Sequence, residues 1–112
     1  MALLELQVVK ADLFQALAHP TRIRILELLA SGERTVQELQ ATLVLPQPVV
    51  SQQLAVLRAR LLVTSRRAGS ASYYALRSPL IGDLLTVARA FLNQRFTADQ
   101  TILRELRREA RR

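Results

Sequence analysis

A chain of 112 residues has room for one domain around one apolar core. With no cysteine it cannot build a disulfide, a thiolate metal site or a cysteine redox switch; with no apolar run near ~20 residues and no basic stretch ahead of the apolar N-terminus, no membrane contact is expected and the expected location is the cytoplasm. Half the residues are hydrophobic but only 4% are aromatic, so Leu, Val, Ile and Ala must make the core, while the formal charge of +7, carried by fifteen Arg and one Lys against nine acids, points to a polyanionic partner.

From about Leu3 to Leu17 the spacing predicts a helix, with Leu3, Leu6, Val9, Leu13 and Leu17 on one stripe and Leu4, Val8 and Phe14 beside it. That band is wider than one neighbouring helix can cover, which predicts a subunit interface. His19 and Pro20 end the helix, and Pro20 suits the first turn of the next, Thr21 to Ala30. There Ile23, Leu26 and Leu29 are expected to face the core and Arg22 and Arg24 the solvent, with Ser31 and Gly32 closing the helix. Thr35 and Glu38 form a T-x-x-E capping box for a short third helix through Leu43, with Val36, Leu39 and Leu43 inward.

The stretch from Pro46 to Arg60 carries the strongest functional signal. Val50, Leu54 and Leu57 recur at i, i+4 and i+7 as one buried stripe, while Gln47, Pro48, Ser51, Gln52 and Ala55 lie on the other side. Short, uncharged side chains that can donate and accept suit a helix lying in a DNA major groove; the charges wait until Arg58 and Arg60, where such a helix would pass phosphates. A solvated surface helix is the plain alternative, and the neighbouring segments tip the balance.

After Leu61 the apolar period changes from 3.6 to two. Residues 62 to 67 and 72 to 77 read as two strands around the loop Ala68 to Ala71, with Arg66, Arg67 and Arg77 along them. A basic hairpin directly after a groove-reading helix is a wing. Ser78 and Pro79 open a helix to about Gln94, with two apolar stripes headed by Leu80 and Ile81. Thr97 to Gln100 offers a further cap, and 98 to 109 reads as a helix, separate or continuous with the previous one, ending in the basic run RELRREARR.

ALAHPTRIRILELL at 16 to 29, TVQEL at 35 to 39, VVSQQLAVLRARLLV at 49 to 63 and SRRAGSASYYAL at 65 to 76 together resemble the ArsR/SmtB family of bacterial transcriptional regulators. The resemblance implies a mainly α, winged helix-turn-helix fold in a single domain over 1 to 112. The helix-turn-helix would span about 35–61 and the wing about 62–77. The helices at about 3–17 and 79–94 would hold a homodimer. It further implies a repressor that binds double-stranded DNA at a pseudo-palindromic operator and answers to a metal ion or small ligand. Carried over by position, the DNA-contacting residues are Gln47, Pro48, Ser51, Gln52 and Gln53 of the reading helix, Arg66, Arg67 and Ser70 of the wing, and Thr21 and Arg22 at the start of the second helix; Arg58, at the end of the reading helix, joins them on its position alone.

Two departures from the family pattern carry structural expectations. The family has glycine where this chain has Val44, in the helix-turn-helix turn, and again where it has Leu61, before the wing. Positive φ suits neither residue, so the connection is expected to be remodelled. Pro46 stands where the family has a serine N-cap, which removes a side-chain acceptor. Metal-sensing members carry Cys in the third helix or Asp and His in the last; this chain has neither. A site on His19 with Asp12 or Glu5 is the remaining candidate, suited to nickel or zinc, and the plainer role for His19 is a polar residue ahead of a helix. Two other functions stay open: a DNA-binding subunit without a sensor site, controlled by a separate sensor protein, and a winged-helix interaction module that never touches DNA. An enzyme is not expected, because the single His has no Ser or Cys nucleophile beside it and three glycines make no phosphate loop.

Overall fold

The computed structural model describes residues 3–95 and 100–111, so the cap expected at Thr97 to Gln100 lies outside the described residues apart from its last member. In chain order the elements are α1 (Leu3–Leu17), α2 (Pro20–Leu29), β1 (Arg34–Thr35), α3 (Val36–Leu43), α4 (Gln47–Ala59), β2 (Val63–Ala68), β3 (Ala71–Leu76), α5 (Pro79–Arg95) and α6 (Gln100–Ala110). They fall into two compact units, Met1–Gly82 and Asp83–Arg112. The architecture is mainly helical with a small antiparallel sheet, a winged helix-turn-helix.

Each early helix starts for a local reason. Helix α2 follows His19, whose backbone is extended and whose Nδ1 accepts from the Thr21 amide at 3.2 Å, with Pro20 in the first turn where its missing N–H costs nothing. Helix α3 opens on the complete capping box: the Glu38 amide donates to Thr35 Oγ1 at 3.1 Å, and the Thr35 amide donates back to Glu38 Oε1 at 3.2 Å. Helix α4 starts at Pro46 with no side-chain cap, as its sequence implied. Pro48 reduces the need for one, since its nitrogen has no proton to satisfy.

The core is aliphatic. Ile25, Leu26, Leu39, Val50, Leu54 and Leu57 are fully buried, and Leu62 and Val63 carry the core into the sheet. At roughly 1.5–3 kcal/mol for each large side chain removed from water, the stripe on α4 alone is a major stabilising element. The buried face of α2 differs from the expected one: Ile25 and Leu28 are buried with Leu26 and Leu29, while Ile23 is only half-buried. Arg22 and Arg24 are also half-buried rather than solvated, Arg24 bridging to Glu27 at 3.4 Å.

The sheet has three strands rather than two, in the order β1-β3-β2. Arg34 pairs with Tyr74 and Thr35 with Tyr73, while β2 and β3 pair from Val63↔Leu76 to Ala68↔Ala71. The turn is therefore the two residues Gly69 and Ser70, not a four-residue loop. Gly69 has φ 63°, the left-handed conformation at the first turn position that a tight hairpin of the II′ pattern demands.

The expected remodelling around Val44 and Leu61 does not occur. Both adopt left-handed backbone, Val44 at φ 54° and Leu61 at φ 62°. Their hydrogen bonds explain why. At the end of α3 the amides of Val44 and Leu45 both reach Gln40 O, at 2.9 and 3.4 Å, and at the end of α4 the Leu62 amide reaches back to Leu57 O at 2.9 Å. These are the caps that satisfy helix carbonyls left over at a C-terminus, and they require positive φ whichever residue occupies the position. The chain keeps the caps and bears the strain.

Candidate nucleic-acid interface

Helix α4 separates its two faces cleanly. Val50, Leu54 and Leu57 are fully buried, whereas Gln47, Pro48, Gln52, Ala55 and Arg58 are exposed and Ser51 is half-exposed. The Gln47 amide donates from Nε2 to Ser51 Oγ at 2.8 Å, one turn along, which sets the two side chains against each other on that face. Both keep further hydrogen-bonding capacity toward a base edge. Gln52 stands exposed beside them, and Arg58 lies in the last turn without an ion-pair partner among the described residues. Gln53 is different. It is half-buried, and its Oε1 accepts from Arg22 Nη1 at 3.1 Å.

Arg22 is occupied as well. Its Nε donates to Ala16 O at 2.7 Å and its Nη2 to Gln15 O at 3.3 Å, so the guanidinium fork closes the C-terminus of α1 while joining α2 to α4. Expected as a phosphate contact, its guanidinium also ties three helices together. Thr21 sits in the first turn of α2, its amide held by His19. His19 is thus the N-cap of α2, and among the described residues no group of three or more His, Asp or Glu is placed to hold a metal ion. Asp12 and Glu5, its proposed co-ligands, are on exposed positions of α1.

The two wing arginines have separate fates. Arg67 is exposed and has no partner among the described residues. Arg66 makes a bidentate pair with Glu33, Nε to Oε2 and Nη2 to Oε1 both at 2.8 Å, and its guanidinium lies 4.6 Å from the centroid of the Tyr73 ring. The hydrogen bonds from Arg66 hold the Glu33 carboxyl below the usual carboxylate range, and the same bonds raise Arg66. Ser70 is exposed at the hairpin tip. A polar, uncharged helix face with Arg58 in its last turn, followed by a hairpin with an exposed Arg67, can read base edges and grip the backbone.

A family model described as bacterial regulatory protein, arsR family, matches residues 19–65. An uncharacterized HTH-type transcriptional regulator of Mycobacterium tuberculosis, Rv0081, is 46% identical over 99 residues, 88% of this chain and 87% of the relative. The chain belongs to the arsR family of bacterial regulatory proteins. The crystal structure of Rv0081 superposes with a TM-score of 0.77 at 45% identity, covering 83% of this chain and 94% of that one. The transcriptional repressor BigR of Xylella fastidiosa gives 0.70 at 30% identity over 81% and 95%. A homodimeric winged helix-turn-helix DNA-binding domain of Mycobacterium bovis, a possible ArsR-family regulator solved in solution, gives 0.73 at 29% over 80% and 83%.

In this arsR-family chain the residues that sequence reasoning missed are Glu33 and Tyr73, the two supports of Arg66. Both depend on β1, which at two residues is too short to show any period. Pairing Arg34 and Thr35 with β3 carries the preceding Glu33 to the wing. The available signal was an acid just ahead of the capping box, with two arginines on the hairpin able to answer it.

Proposed function

We propose that this chain is a homodimeric transcriptional repressor working in the cytoplasm. It reads a pseudo-palindromic operator in double-stranded DNA with Gln47, Ser51 and Gln52 of α4, and Arg58, Arg67 and Ser70 hold the backbone on either side. It is a regulator without a catalytic step, and its occupancy of DNA answers to a metal ion or small ligand. The observation that carries the reading is the exposed face of α4: short, uncharged and hydrogen-bonding where a solvated helix would carry Lys and Glu, with Arg58 in its last turn and Arg67 on the wing both lacking an ion-pair partner among the described residues. A second copy is supported by the apolar side of α1, where Leu4, Val8, Val9 and Phe14 are each more than half exposed. Two-fold symmetry then places the half-sites about one helical turn, ~34–36 Å, apart.

Fluorescence anisotropy on the chain's own upstream DNA, at two salt concentrations, tests this. Gln52→Ala should weaken operator binding by ~1–3 kcal/mol and relax base preference; Arg67→Ala should weaken every sequence alike and lower the salt slope by about one. Operator binding by Gln52→Ala equal to that of the parent protein would make the groove assignment wrong. Repeating the titration in chelator and then with nickel or zinc reads the signal. A shift with one metal supports a metal response, and no shift points to an organic ligand or a separate sensor protein.

A further inference from the structure

Residues 104–110 of the basic C-terminal run lie in α6, and four arginines from 104 to 111 share one side. Arg104, Arg107 and Arg108 of α6 and Arg111 in the turn just beyond it stand at i, i+3, i+4 and i+7, are all exposed, and line one open hollow of about 220 Å³. Leu103 and Leu106 are half-buried by contrast. The acids of the helix are already engaged: Glu105 with Arg108, and Glu109 with Arg89 of α5 at 3.5 Å. Arg104, Arg107 and Arg111 have no carboxylate partner among the described residues.

This arrangement works against the helix that bears it. Residues three or four apart are neighbours on a helix surface, so 104 with 107, 104 with 108, 107 with 111 and 108 with 111 are four like-charge pairs, each destabilising. The helix dipole rewards cations in the last turn, which accounts for Arg107 and Arg108, but not for Arg104 or for the gathering of all four on one side. A polyanion seated on the face would relieve that repulsion. Every cation there is a guanidinium, whose planar fork matches phosphate oxygens two at a time.

We propose that the arginine face of α6 is a second DNA-binding site, taking the phosphate backbone of the duplex that flanks the base-read half-site. This rests on the reading of α4 as the operator-recognising helix. Of the possible polyanions, duplex DNA is the one the chain already engages on that reading, and a regular line of phosphates suits a regular line of arginines. The face adds affinity without base preference.

The test compares the full-length chain with its Arg104→Gln/Arg107→Gln/Arg111→Gln variant, leaving Arg108 to its partner Glu105. Because the substitutions remove like-charge repulsion, α6 should keep or gain helicity by circular dichroism. Binding is followed against salt on the operator with long flanks, on the operator trimmed to its inverted repeat, and on a scrambled duplex. The variant should lose about one to three units of the log–log salt slope on the long duplex, at ~0.9 for each phosphate it no longer neutralises. Its ratio of operator to scrambled binding should not change, and trimming the flanks should bring the parent protein down to the variant. An unchanged slope on long flanks overturns the proposal and leaves the face to an acidic protein surface. Should the variant fail to dimerise in sedimentation, the parent protein decides alone: indifference to flank length overturns the proposal, and dependence on it carries it. If the parent protein does not distinguish operator from scrambled DNA at all, the reading of α4 fails instead, whatever the slope.

Discussion

Helices α4 and α1 spend their apolar residues in opposite ways. On α4 the three stripe residues Val50, Leu54 and Leu57 are fully buried within one chain, and what remains outside is polar. Among the described residues of α1 only Ala16 and Leu17 are buried, while Leu4 is 77% and Phe14 57% exposed. Helix α4 therefore has its apolar stripe covered and is free to present a chemical face; α1 leaves an apolar face open, the one proposed above to meet a second copy.

That division can be broken from either side. The largest effect is expected from Leu54→Ala, which should cost ~2–5 kcal/mol of stability through lost burial and a cavity under the reading helix, seen in chemical denaturation. Phe14→Glu should leave the denaturation of the single-chain core nearly unchanged and instead convert the dimer to monomer at micromolar concentration in sedimentation. A Phe14→Glu protein that still sediments as a dimer would place the interface elsewhere. At the joint ahead of α4, Val44→Gly should raise stability by about 0.5–1 kcal/mol, since it relieves left-handed strain of ~1–2 kcal/mol against the greater freedom glycine has when unfolded. Val44 is 84% exposed, so no burial is lost.

The smallest effect concerns the wing. The folded state holds Glu33 below its ordinary range because Arg66 donates to the carboxylate, so the pair's contribution is present above the unfolded-state pKa of Glu33 and is lost as pH falls through the lowered, folded value. Both partners are exposed, which keeps the contribution small. Acidification should shift the amide resonances of Tyr73 and Arg66 in the parent protein, and Glu33→Gln should remove that titration. Persistence of the titration in Glu33→Gln would assign it to another group.

The sequence was most legible where a period or a cap operates over several residues. The helices, the capping box of Thr35 and Glu38 and the stripe of α4 follow from local chemistry and were read with bounds within a residue or two. It was least legible where distant residues meet. The two-residue β1 has no period, so neither the third strand nor the Glu33–Arg66 pair could be seen. On α2 both Ile23 and Ile25 fit an apolar stripe, and only the packing of α4 and the sheet decides that Ile25 is the buried one. The residue types of the candidate interface were visible, but the employment of Arg22 and Gln53 in holding helices together was not, because a guanidinium reads the same in sequence whether it meets a carbonyl or a phosphate.

Val44 and Leu61 stand at the two ends of the recognition segment, and both are held in place by backbone caps rather than by their own side chains. The determinants of what α4 reads and of how firmly it is mounted are consequently different residues. Exchanging Gln47, Ser51 and Gln52 should retarget the protein without touching its mount, and exchanging Val44 or Leu61 for glycine should stabilise the mount without altering what is read. A chain built this way can change its operator in small steps while staying folded at each one.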